Sequence, residues 1–124
     1  MKIQKPIFIV GAGRSGSTVF NKLFAEHPQV AWLSILANKF PQKPQINGLL
    51  MSAIDYPLLG TILKRKFSTG EFYTFWEHYC KGFSSPFRDL RKDDLTIKKS
   101  KRIRNSLSHT LVKKRSRMLI KITD

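Results

Sequence analysis

The sequence predicts an α/β fold, a parallel sheet with flanking helices, and three observations predict it. An apolar, largely β-branched run (Ile7, Phe8, Ile9, Val10) meets a glycine-rich turn and passes directly into a helical pattern (Val19, Phe20, Leu23, Phe24). Strand-like runs recur along the chain with helical stretches between them, which implies parallel pairing through right-handed crossovers. The chain has 124 residues and ordinary aliphatic and aromatic content, enough for one domain, 1–124, with a real core.

The elements follow in order. Strand one covers about 6–10 and reads as buried. Helix one covers about 16–26 and is closed by His27-Pro28, because the residue before a proline avoids helical geometry. Strand two covers about 30–34. Residues 38–48 contain Pro41, Pro44 and Gly48 and read as loop. The apolar stretch 49–67, interrupted by Pro57 and Gly60, holds one or two short helices. Residues 71–81 form a helix with Phe72, Phe75, Trp76 and Tyr79 on one face, a core face rather than an acceptor pocket. Residues 83–93 read as polar loop. Asp94, or Asp93, caps a basic helix from Thr96 onward, with Ile103, Leu107 and Leu111 in one stripe. A final strand covers about 117–122.

The loop from position 11 to position 18 carries the chemistry. Strand, tight turn and helix start together make a cradle for a phosphate-like anion. Gly11, Gly13 and Gly16 allow close backbone approach, Arg14 adds forked cationic donors, and Ser15, Ser17 and Thr18 add hydroxyls, one of which serves as a helix cap. Three loop types compete. The Walker A pattern fits Gly11, Gly16 and Thr18, but Ser17 stands where its phosphate-neutralising lysine belongs. The dinucleotide pattern G-x-G-x-x-G fits Gly11, Gly13 and Gly16, but needs an acid after strand two, and Ser34 to Asn38 supply none.

The third type fits best: Val10-Gly11-Ala12-Gly13-Arg14-Ser15-Gly16-Ser17-Thr18 resembles the 5′-phosphosulfate-binding loop of sulfotransferases. The segment from Leu23 to Val30, with His27-Pro28, resembles a helix exit common in that family. Ala31 to Ser34, Lys39 to Pro41 and Gly82 to Leu95 look like its bacterial-type branch. The resemblance implies a P-loop NTPase-like sulfotransferase fold. It implies 3′-phosphoadenosine-5′-phosphosulfate as sulfuryl donor, no metal, and transfer to a hydroxyl or amine of a small-molecule or glycan acceptor. Gly11, Gly13, Arg14, Ser15, Gly16, Ser17 and Thr18 are then donor-binding, and Arg14 and Lys121 catalytic. Lys121 resembles the lysine of a segment some members use to stabilise the transferring group. A solvent-exposed lysine at a chain end is an equal reading. Family members place a second half after this region, so the domain is expected to be a truncated, N-terminal part, and the short chain inactive alone.

A glutamate that many members carry after strand two as base is missing. Asn38 could orient an acceptor, and Asp55, Glu71 and Glu77 are acids without positional support. His27 reads as a helix-terminating residue rather than a base. The net charge is +15, from 23 Lys and Arg against 8 Asp and Glu, which favours anionic partners. Much of it lies over 98–117, in Lys98, Lys99, Lys101, Arg102, Arg104, Lys113 and Lys114. A solvated helix face is the first reading of these residues. A nucleic-acid-binding module is an alternative, as is another P-loop or dinucleotide-binding enzyme; no DNA- or RNA-binding motif accompanies the charge. Cys80 is the lone cysteine, expected to be buried and in a reducing compartment. Residues 1–6 run straight into strand one and no long apolar run follows, which predicts a cytoplasmic protein without a signal peptide or membrane span.

Overall fold

A computed structural model describes residues 2–12, 16–81, 83 and 91–123. Gly13, Arg14 and Ser15 of the glycine loop lie outside these residues, as do Gly82 and most of the loop expected over 83–93.

The described chain runs β1 (Ile7–Gly11), α1 (Ser17–Ala25), β2 (Val30–Trp32), α2 (Ile35–Lys39), α3 (Gln45–Ala53), α4 (Leu59–Lys66) and α5 (Tyr73–Tyr79). A 3-10 turn (Lys92–Asp94), α6 (Ile97–Ser108) and β3 (Arg117–Thr123) complete it. The three strands form one parallel sheet in the order β1-β3-β2, so the α/β expectation holds. The last strand in sequence is the middle strand in space. Its residues meet both neighbours, with Lys121 opposite Ile9 and Leu119 opposite Ile7 and Trp32.

Strand periodicity then assigns the faces of β3. Side chains alternate along a strand, so Met118, Ile120 and Ile122 share one face and Leu119 and Lys121 the other. The first set lines an apolar cavity of about 690 Å³ together with Ile103 and Leu107 of α6. The second set faces α1, where Lys121 bonds to Thr18. The core lies around β2 and β3, with Val30, Trp32, Met51, Phe75, Met118 and Leu119 almost wholly withdrawn from water.

Three expectations are corrected. β1 is an edge strand rather than a buried one, and Phe8 and Val10 are 59% and 72% exposed. The periodic residues that mark α1 (Val19, Phe20, Leu23, Phe24) also point outward, because α1 turns Asn21 and Ala25 inward instead. The loop expected over 38–48 is confined to 40–44, with 38–39 ending α2 and 45–48 opening α3. Ser34 caps α2 by accepting from the Leu36 N–H, and Pro44 sits at the start of α3, where its missing N–H costs no helical bond. Finally, Thr96 rather than Asp94 caps α6, by accepting from the Lys99 N–H at 3.1 Å. A cap must directly precede the first turn, and Asp94 lies too early; it accepts from the Arg91 N–H instead.

α6 stops at Ser108, so Ile103 and Leu107 form its inward stripe while Leu111 is buried beyond its end. Lys98, Lys101, Arg102 and Arg104 are exposed on the remainder, the solvated face of an amphipathic helix. Phe75, Trp76 and Tyr79 are core, as expected, and their rings pack at 5.1–5.2 Å around Phe75. Cys80 is half-buried rather than buried. No helix among the described residues is long and apolar enough to cross a membrane.

Candidate functional site

The glycine loop leaves β1 at the end where parallel strands present their loops, the usual ligand position in open α/β sheets. Gly16 enters α1 with φ +82° and ψ 2°, a left-handed conformation that glycine adopts without steric cost. A Cβ at Gly16 would meet nothing within 4 Å, so a substitution there is resisted by the backbone alone. Gly16→Ala should therefore lower stability by about 1 kcal/mol and Gly16→Asn by less, since asparagine tolerates this region. Urea denaturation of the two variants checks the ranking.

α1 begins without a side-chain cap and without an acid in its first turn. Gly16 holds the cap position and neither Ser17 nor Thr18 caps the helix, while Ser15, the third hydroxyl expected as a cap, lies outside the described residues. The first N–H groups of a helix lack intrahelical acceptors and carry the positive end of its dipole, so the start of α1 favours an anion.

Lys121 reaches this place from the other end of the sequence. It is 8% exposed, so the reading of a solvated lysine is overturned. Its Nζ donates to Thr18 Oγ1 at 2.9 Å and lies 3.0 Å from Glu71 Oε1. β3 is the middle strand, and its alternation points Lys121 at α1 rather than at α6. Glu71, remote in sequence, thereby gains a position beside the loop.

The segment that carries Glu71 is held at two points. Asn21, one turn after Thr18 on α1, donates from Nδ2 to Thr69 Oγ1 at 3.0 Å. Trp32 Nε1 donates to the Phe67 carbonyl at 3.0 Å. Among the described residues, Asn21 Oδ1, buried next to this tether, has no hydrogen-bond partner.

The other acidic and polar candidates have structural duties. Asp55 pairs with Arg115, a wholly buried residue that sequence reasoning missed because it sits inside a run of exposed cations. Arg115 donates to both Asp55 oxygens, at 2.8 and 3.2 Å, and to the Val30 carbonyl at 2.6 Å. The hydrogen bond from Arg115 holds the Asp55 carboxyl below its ordinary range, against the opposing effect of burial. Asn38 Oδ1 accepts from the Phe75 N–H at the start of α5, so it orients a helix rather than an acceptor. His27 Nδ1 accepts from the Gln29 N–H, consistent with a turn residue after α1. At the end of β2, where a dinucleotide site needs an acid, Ser34 and Asn47 form a buried amide–hydroxyl network with the Trp32 carbonyl. Among the described residues, no group of three or more His, Cys, Asp or Glu gathers around one point.

Residues 6–54 match the model of the sulfotransferase family. Over these residues the chain is similar to the sulfotransferase family. The match takes in β1, the glycine loop, α1, β2, α2 and α3, and ends before Glu71, Lys121 and the stretch 82–95. No curated protein and no solved structure matches the chain. The sulfotransferase match and the parallel sheet agree with each other: the matched segment opens with β1, the glycine loop and α1.

Proposed function

We propose that this sulfotransferase-family chain binds 3′-phosphoadenosine-5′-phosphosulfate at its glycine loop and serves sulfuryl transfer to a hydroxyl or amine of a small-molecule or glycan acceptor. One observation carries the reading: Lys121, distant in sequence, converges on Thr18 of the loop with its ammonium largely shielded from water. The donor set fits the group. Gly11, Gly13 and Gly16 admit the backbone to the anion, Arg14, Ser15, Ser17 and Thr18 supply donors, and a shielded ammonium stands at the loop's end.

The bound donor supplies an activated sulfuryl group on a phosphate leaving group. The chain's own residues orient and neutralise. The start of α1 offers the anion N–H donors set before it arrives, so little reorganisation is needed there, and Arg14 adds a cationic residue to the loop. Lys121 holds a positive charge where negative charge is shared between transferring and leaving oxygens, and its bond to Thr18 fixes its direction. The chain forms one partial domain of such an enzyme, in a cytoplasmic setting that suits its lone cysteine.

Calorimetric titration with 3′-phosphoadenosine-5′-phosphate, with ATP and NADP as comparators, tests the reading. Selective binding of the 3′-phosphorylated nucleotide is expected, weakened at least about tenfold in Arg14→Ala. Equal, salt-sensitive binding of all three ligands, unchanged by the substitution, would instead assign the affinity to the basic surface of α6.

A further inference from the structure

Glu71 presents a paradox in a site built for anions. Its carboxylate stands 3.0 Å from the ammonium of Lys121, which in turn is bonded to the donor loop through Thr18. The side chain is 24% exposed, and the segment leading into it is tethered at Thr69 by Asn21 and at the Phe67 carbonyl by Trp32. A carboxylate held there lowers the net positive charge available to a ligand. Such an arrangement weakens binding of any anion, but it weakens a doubly charged terminal group more than a singly charged one.

We infer that Glu71 is a specificity-determining residue that sets the charge of the terminal group the site accepts, favouring a sulfuryl monoanion over a phosphoryl dianion of the same shape. The inference rests on the donor-loop reading above. A sulfate ester carries one negative charge at neutral pH. A terminal phosphate carries close to two, because its second pKa is about 6. The two groups are both tetrahedral and nearly equal in size, so shape offers little discrimination and charge offers much. Lys121 alone would draw in the dianion more strongly, and Lys121 paired with Glu71 removes that advantage. Discrimination by an added repulsive element is a general route to specificity.

The test uses two ligands that differ chiefly in the terminal atom and its charge: 3′-phosphoadenosine-5′-phosphosulfate and adenosine-3′-phosphate-5′-diphosphate. Both are titrated without magnesium into the wild-type chain and into Glu71→Gln, which keeps an oxygen acceptor for Lys121 and removes one negative charge. The wild type should prefer the phosphosulfate. In Glu71→Gln the preference should fall about tenfold, mainly through tighter binding of the diphosphate. Glu71→Ser, which removes the same charge with a smaller side chain, must change the preference in the same direction. An unchanged ratio in both folded variants overturns the role of Glu71 while leaving donor binding intact. Failure of the folded wild type to bind either ligand overturns the donor-loop reading, and this inference with it.

Discussion

Arg115→Leu should lower the stability of the chain by about 3 kcal/mol, one of the largest effects available to a single substitution here. The guanidinium is wholly buried, lies 5.4 Å over the Trp32 ring, and satisfies Asp55 and the Val30 carbonyl at once. Leucine fills much of the space but leaves that carbonyl without its donor and a half-buried carboxylate without its cation. Thermal denaturation should show Tm falling on the order of 10 °C.

The same pair makes a pH prediction. The hydrogen bond from Arg115 lowers the folded-state pKa of Asp55 relative to its unfolded value. A carboxyl shifted downward contributes stability that is complete above the unfolded pKa and disappears as pH falls through the folded one. The contribution is therefore present at pH 7 and lost below about pH 4. Urea midpoints compared at pH 7 and pH 3 should fall less for Asp55→Asn than for the wild type. An equal fall in both would assign the acid sensitivity to other carboxyls.

Lys121→Met should weaken binding of 3′-phosphoadenosine-5′-phosphosulfate by about ten- to a hundredfold, measured by calorimetry at near-physiological salt. The methionine chain has similar length and apolar volume, so the strand and its packing against α1 are retained. The substitution removes the shielded cation at Thr18 and leaves Glu71 without that partner, so two changes act against an anion in the same direction. A solvated lysine at a strand end would show only the slight effect typical of a screened surface charge. An affinity unchanged in a folded Lys121→Met variant would remove Lys121 from the donor site.

The two sets of residues differ in how they could be read. The run from Ile7 through Thr18 declares strand, loop and helix locally, because β-branched residues, glycines and an amphipathic period each act over a few positions. The helix over 71–81 and the last strand were legible for the same reason, and so was the solvated face of α6. The glycine loop, the likeness to sulfotransferases over 6–54 and the parallel sheet therefore follow from the sequence alone.

What lay beyond it depends on contacts between distant segments. Only the placement of β3 between β1 and β2 makes β1 an edge and brings Lys121 to α1. A slip of one residue along β3 would have turned that lysine to the face of α6, since strand side chains alternate. Glu71 became part of the site through the tethers to Asn21 and Trp32, which join residues 48 and 35 positions apart. Arg115 resembles its cationic neighbours Lys113 and Lys114 in sequence and differs from them only in facing Asp55 across 60 positions. Local pattern determines which elements form and where the glycine loop falls; which charged side chains meet beside it is decided by packing, because burial and pairing are properties of the assembled sheet.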